Sequence, residues 1–139
     1  MNNIVNSIEA DIYRAIDMAF HWFKKNNPSL EIICDEETMK QWYDFVTWCY
    51  AQDGEMHAED ELKNNPNFNF EISPLMENAM SECDGWWCKY NVDHQEIAEE
   101  DFGDDEDEEA HWEAYEDAFD NISNSVDTSS FEKLSKIVL

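Results

Sequence analysis

A chain of 139 residues with six Trp, eight Phe and five Tyr, but only three Gly and three Pro, is long enough for one packed core and too aromatic for a disordered polymer. Its formal net charge of -26 at pH 7 lies far beyond the magnitude of roughly 2 to 8 that keeps a small domain soluble, and it excludes a surface built to hold nucleic acid or anionic lipid directly. No run approaches the roughly 18 to 20 apolar residues that span a bilayer, and the N-terminal residues lack the basic and apolar regions of a signal peptide, so a cytoplasmic setting with no membrane role is expected.

Ile4, Ile8, Ile12, Ile16, Phe20 and Phe23 recur at three- and four-residue steps and predict a first helix. Lys24 and Lys25 suit the negative end of its dipole, and Asn26-Asn27-Pro28 stops it. Residues 30–33 read as an apolar link. Asp35 then caps a second helix with Glu36 and Glu37 in its first turn and Met39, Trp42, Tyr43, Val46, Cys49 and Tyr50 on its core face. Asp53-Gly54 is the expected stop, and residues 56–65 read as a frayed turn or loop.

Phe68, Phe70 and Ile72 alternate with polar neighbours, the period of a half-buried strand. Ser73-Pro74 reads as cap and first position of a third helix, with Leu75, Met76, Ala79, Met80 and Cys83 inward and Asp84-Gly85 as its stop. Residues 86–92 are then free to pair with the Phe68 strand. Residues 94–102 predict a short helix before Gly103, and a further helix starts at Asp104 or Asp105 and runs to about Ile122. Its inward positions are Ala110 or His111, Ala114, Tyr115, Ala118, Phe119 and Ile122. A polar linker over 121–130 leads to a last apolar stripe of Phe131, Leu134, Ile137 and Val138. The expected fold is one compact domain over residues 1–139, mainly α with about five helices, or α+β with a small two-stranded antiparallel sheet.

The charge is not spread evenly. Residues 93–120 hold 15 Asp/Glu in 28 positions, and no Lys or Arg lies between Val92 and Lys133. A second focus surrounds Asp35 and residues 53–61, whereas the two ends of the chain are nearly neutral. Wholly helical, the 28-residue stretch would extend about 42 Å, one carboxylate per roughly 2.8 Å. Duplex DNA carries a charge per about 1.7 Å of axis and a single strand one per about 3.4 Å, so the line density is that of nucleic acid. Solvated acidic tails are the commoner meaning of such runs, but Phe102, Trp112, Tyr115 and Phe119 interleave this one at helical spacing. The residues expected to act as phosphate surrogates are Glu99, Glu100, Asp101, Asp104, Asp105, Glu106, Asp107, Glu108, Glu109, Glu113, Glu116, Asp117 and Asp120.

Other chemistries find little support. Cys83 and Cys88 with His94 miss the usual zinc spacing and lack a second pair, and Cys34 and Cys49 suit buried positions. Asp101, Asp104, Asp105 and Asp107 suggest calcium, but neither register starting at Asp101 or Asp105 places Gly at the sixth and Glu at the twelfth position. His21, His57, His94 and His111 accompany no nucleophile elbow, phosphate loop or zinc-protease motif. Neither metal, cofactor nor enzymatic activity is expected. Trp86-Trp87 suggests one core ring and one exposed interface anchor bordering acid, with a second buried layer or a dimer contact as equal alternatives.

In size, acidity and an aromatic-bearing acidic helix over 93–120, the chain resembles the DNA-mimic inhibitors of phages and mobile elements, such as the antirestriction proteins Ocr and ArdA and acidic anti-CRISPR proteins. The resemblance is one of class, without a shared motif, and transfers no individual residue. It implies a binder in the host cytoplasm that occupies the DNA- or RNA-binding groove of a defence complex, with a basic nucleic-acid-binding protein as partner and no direct contact with nucleic acid. A homodimer stays open. An immunity protein for a nuclease toxin would share these features, as would an acidic adaptor or histone-like-protein chaperone.

Overall fold

The first apolar stripe becomes α1 (Asn2–Asn26) in the computed structural model. The backbone is described for residues 2–52, 55–66, 68, 70–101 and 105–137, and side chains for the same residues except 2–4, 55, 90–101, 105–109 and 111. Ile8, Ile12, Ala15, Ile16, Ala19 and Phe23 bury one face of α1. Its end is closed as expected, with Lys24 and Lys25 in the last turn and the Asn27 side-chain amide donating to the Phe23 carbonyl at 2.9 Å, which satisfies one of the carbonyls a helix end leaves open. The apolar link is a single helical turn, α2 (Leu30–Ile33), that buries Leu30 and leaves Ile32 and Ile33 exposed.

The Asp35 side chain caps α3 (Glu36–Ala51) by accepting from the Thr38 amide at 2.8 Å. The expected core face was too narrow: Phe45 through Ala51 are buried without interruption. A helix buried on all sides is one that other elements surround, and α3 packs against α1, α5, α6 and the C-terminal 3-10 helix at Thr128–Lys136. Its ring system runs from Phe23 through Trp42 and Phe45 to Phe131, with centroids 5.1, 6.0 and 4.9 Å apart.

Residues 56–65, expected to be frayed, instead contain most of a ten-residue helix, α4 (Glu55–Asn64). Ala58 and Leu62, four apart and both fully buried, supply the anchoring stripe that a mostly polar sequence hides. Asp53 and Gly54, the predicted stop of α3, lie outside the described residues.

The sheet does not form. Among the described residues there is no strand, and Phe68 and Phe70 sit in an irregular link with their rings in mutual contact and half-buried. Their intended partner, residues 86–92, belongs to α5 (Pro74–Asp101). The Ser73-Pro74 start is correct, with the Ser73 hydroxyl accepting from the Met76 amide at 3.2 Å, but Asp84-Gly85 is no stop. An interior Gly weakens a helix by only about 0.5–1 kcal/mol, less than the packing of Trp86 and Trp87 against the core on the continued helix returns. A lone two-stranded hairpin would be marginal by comparison. Residues 94–101 of the predicted 94–102 helix are thus the far end of α5, and Phe102 lies outside the described residues.

The acidic segment resumes as α6 (Asp105–Asn124), which buries Tyr115, Ala118, Phe119 and Ile122. Ala110 is exposed rather than inward, and Gly103 and the His111 side chain lie outside the described set. After a short turn, Asp127 accepts from the Ser129 amide at 3.0 Å and starts the 3-10 helix, whose Phe131 and Leu134 are fully buried. Val138 is not described. The architecture is mainly α: six α-helices and one 3-10 helix among the described residues, more than the five expected, with the described buried hydrophobic side chains in a single cluster.

Candidate partner-binding face

At 100° per residue, Tyr115, Ala118, Phe119 and Ile122 fall within a sector of about 100° on α6, and Glu113, Glu116, Asp117 and Asp120 fill a similar sector on the opposite side. The first set is buried and the second exposed. The acids face outward because the aromatics alternate with them at helical, not strand, spacing.

The helix is held from several directions. Phe119 stacks on Tyr50 of α3 with centroids 6.0 Å apart, and Tyr115 closes on Phe119 at 4.8 Å. Trp112 meets Tyr115 edge-on at 5.3 Å. The Asn121 amide donates to the Glu9 carboxylate of α1 at 3.0 Å, and the Gln52 amide donates to the Ser123 hydroxyl at 2.6 Å. These polar ties cross α1 and the end of α3, so the direction of the acidic stripe is fixed by packing on two neighbours.

Of the thirteen predicted surrogates, Glu113, Glu116, Asp117 and Asp120 are placed together on this outer face. Asp105, Glu106, Asp107, Glu108 and Glu109 lie on the first turns of the same helix, and Glu99, Glu100 and Asp101 end α5, but the side chains of these eight lie outside the described set, as does Asp104 altogether. The ion pairs among the described residues join Arg14 to Asp11, Lys63 to Glu59, Lys133 to Glu37 and Lys136 to Glu132, and none engages the stripe on α6. Those four carboxylates are exposed, and no described residue of the chain pairs a cation with them.

Two concavities flank α6. One, of about 560 Å³, runs between α6 and α1 and is lined by Val5, Asn6, Asp117, Asp120 and Asn121. The other, of about 360 Å³, lies between α6, α5 and the end of α3, where Trp87, Trp112, Tyr115 and Phe119 meet Glu116 and Asp120. Neither could be read from the sequence, since Glu9 and Asn121 are 112 positions apart and Trp87 was expected in a strand. Trp86 and Trp87 are both half-buried, not one in and one out, and Lys89 sits 4.8 Å over the Trp86 ring.

The second acidic focus is divided. Glu36 and Glu37 are exposed at the start of α3, with Lys133 at 4.0 Å from Glu37, while Asp60 and Glu61 are exposed on α4. Cys83 is buried and its thiol donates to the Val46 carbonyl at 3.4 Å, whereas Cys88 is exposed. Five residues along a helix place them about 140° apart. No group of three or more His, Cys, Asp or Glu able to hold a metal ion occurs among the described residues, and no helix there is long and apolar enough to cross a membrane.

Comparison with protein-family models, with curated proteins and with solved structures finds no match for this chain.

Proposed function

We propose that the protein is a nucleic-acid-mimicking inhibitor that occupies the DNA- or RNA-binding groove of a host defence complex, as an antirestriction or anti-CRISPR protein does. The observation that carries this reading is the exposed stripe of Glu113, Glu116, Asp117 and Asp120 on a helix packed into the core by Tyr115 and Phe119. Over this stripe four carboxylates advance about 3.5 Å each along the helix axis, close to the roughly 3.4 Å per charge of a nucleic-acid strand. A basic groove would exchange its counterions for these carboxylates, and the protein offers it no backbone to cut. Steering by the net charge of -26 makes association fast and strongly salt-dependent.

The test is capture from a bacterial lysate by the native protein and by a variant carrying Glu113→Lys, Glu116→Lys, Asp117→Lys and Asp120→Lys, with circular dichroism to show that the variant stays helical. The native protein is expected to retain one nucleic-acid-binding assembly that duplex DNA or RNA displaces and that salt releases. The variant is expected to lose it. Equal capture by both would refute the proposal, and a single partner that nucleic acid cannot displace would make the chain an immunity protein instead.

A further inference from the structure

One face of this polyanion is not acidic. Residues 1–33 hold three Lys/Arg against four Asp/Glu, so they carry -1 of the formal charge of -26. On α1, Arg14, Met18, His21, Trp22 and Lys25 recur at three- and four-residue steps, fall within a sector of about 100° and are all exposed. The acids of α1 are engaged elsewhere: Glu9 holds Asn121 at 3.0 Å, Asp11 pairs with Arg14 at 2.7 Å and Asp17 accepts from the Tyr43 hydroxyl of α3 at 2.6 Å. Glu31 of α2 is exposed and joins His21, Lys24, Lys25 and Pro28 around a groove of about 530 Å³ between α1 and α2.

The same two helices carry four of the five large hydrophobic side chains exposed among the described residues: Met18 and Trp22 on α1, Ile32 and Ile33 on α2. Ile32 is 86% exposed, because at 100° per residue it stands about 200° around the turn from the buried Leu30. Single apolar residues are ordinary on a surface, but four between positions 18 and 33, bordered by Lys24, Lys25 and Glu31, have the composition of an interaction patch. Charge selects its occupant. Two copies of a chain of net charge -26 repel one another through their acidic faces, and the repulsion is least where each presents this one. The patch also carries both signs, so a two-fold axis through its apolar centre sets Lys25 of each copy against Glu31 of the other.

We propose that this face is a homodimer interface, in which Met18, Trp22, Ile32 and Ile33 of two copies cover one another and Lys25 of each meets Glu31 of the other. The acidic helix α6 is fastened near the opposite end of α1, at Val5, Asn6 and Glu9, so the contact leaves both acidic stripes exposed and the dimer presents two of them. Four apolar side chains a side fall short of the roughly 20–30 residues a side of a standard interface, and a dissociation constant on the order of 10 µM is expected. Repulsion between the two chains outweighs two exposed ion pairs, each of which contributes little. Added salt therefore strengthens the dimer, the reverse of its effect on the binding of a basic partner.

Sedimentation equilibrium of the full-length protein tests this, at concentrations from about tenfold below to about tenfold above that constant and at about 0.02 M and 0.3 M salt. The native chain is expected to dimerise, more tightly at the higher salt. Ile32→Asp should leave a monomer, whereas Met56→Asp, which adds the same charge at an exposed apolar residue of α4, should not. Lys25→Glu sets like charges against each other and should weaken the dimer at least about tenfold, and Lys25→Glu combined with Glu31→Lys should restore most of the loss. Circular dichroism shows that each variant stays helical. A native chain that remains monomeric throughout, equal weakening by Ile32→Asp and Met56→Asp, dissociation by salt, or no recovery in the double swap would each overturn the proposal. The interface does not depend on mimicry, and the variant with four lysines on α6 should dimerise at least as well as the native chain. Dimerisation without capture of a nucleic-acid-binding assembly removes mimicry and leaves the interface; capture by a chain that stays monomeric does the reverse.

Discussion

Tyr50 of α3 and Phe119 of α6 lie nearly parallel, their centroids 6.0 Å apart and their planes 14° from one another. Through this pair an acidic helix is fastened to the helix that runs through the core. Phe119→Ala is expected to lower the unfolding free energy by about 3–5 kcal/mol, the range for emptying a buried aromatic site, out of a total of roughly 5–15 kcal/mol for a domain. Urea unfolding followed by circular dichroism measures it. Phe119→Leu, which keeps most of the volume, should lose much less, and equal losses would mean that α6 is not held by this ring.

The helices were legible wherever one stripe of apolar residues repeated at three and four. Such is the case for α1, for the start of α5 at Ser73-Pro74 and for Tyr115, Ala118, Phe119 and Ile122 of α6. What misled was local punctuation weighed without tertiary packing. Asp84-Gly85 has the composition of a stop, and 68–72 the period of a strand, but each yields to the burial that a continuous α5 gains against α1 and α3. In α4 only Ala58 and Leu62 mark the helix as anchored, too thin a signal among its charges. The outward acids at 113, 116, 117 and 120 followed from the same helical period as the core. The cleft at Trp87 and the Glu9–Asn121 tie did not, because they join segments far apart in sequence.

Asp44 gives a pH prediction with a definite sign. Burial on α3 raises its pKa above the ordinary carboxylate value, and Lys40 opposes this only in part. A group whose folded-state pKa is raised destabilises the fold once ionised, so the penalty is complete above the folded pKa and vanishes as pH falls below the unfolded value near 3.9. Asp44→Asn is expected to raise the melting temperature modestly at pH 7 and by much less at pH 3. A gain that persists undiminished at pH 3 would assign the effect to packing rather than to charge.

The cysteines should separate by reactivity. Burial pushes the Cys49 and Cys83 thiols well above their ordinary pKa, with the neighbouring Cys83 thiol adding to the shift at Cys49 and the Glu82 and Asp84 carboxylates adding to it at Cys83, and the thiolate is the reactive form. Cys88 is exposed on α5. A maleimide reagent at neutral pH is therefore expected to label Cys88 first and to reach Cys49 and Cys83 only on unfolding, as peptide mapping at successive times would show. Early labelling of Cys83 would mean that α5 opens from α3 on the timescale of the reaction.

Gly85 distinguishes the two descriptions of the middle of the chain. As a helix stop it would adopt a left-handed backbone, and any side chain there would strain it. In the structure it lies inside α5, exposed, with nothing within 4 Å of where a Cβ would stand. Alanine at such a position restricts the unfolded chain and clashes with no neighbour, so Gly85→Ala is expected to stabilise the protein by about 0.5–1 kcal/mol. Chemical denaturation with an unchanged slope would report that gain directly, since an unchanged slope means that the same surface is exposed on unfolding. A loss of stability would place a turn at residue 85, separate Trp86 and Trp87 from the helix that carries Cys83, and remove the aromatic wall that α5 contributes to the cleft.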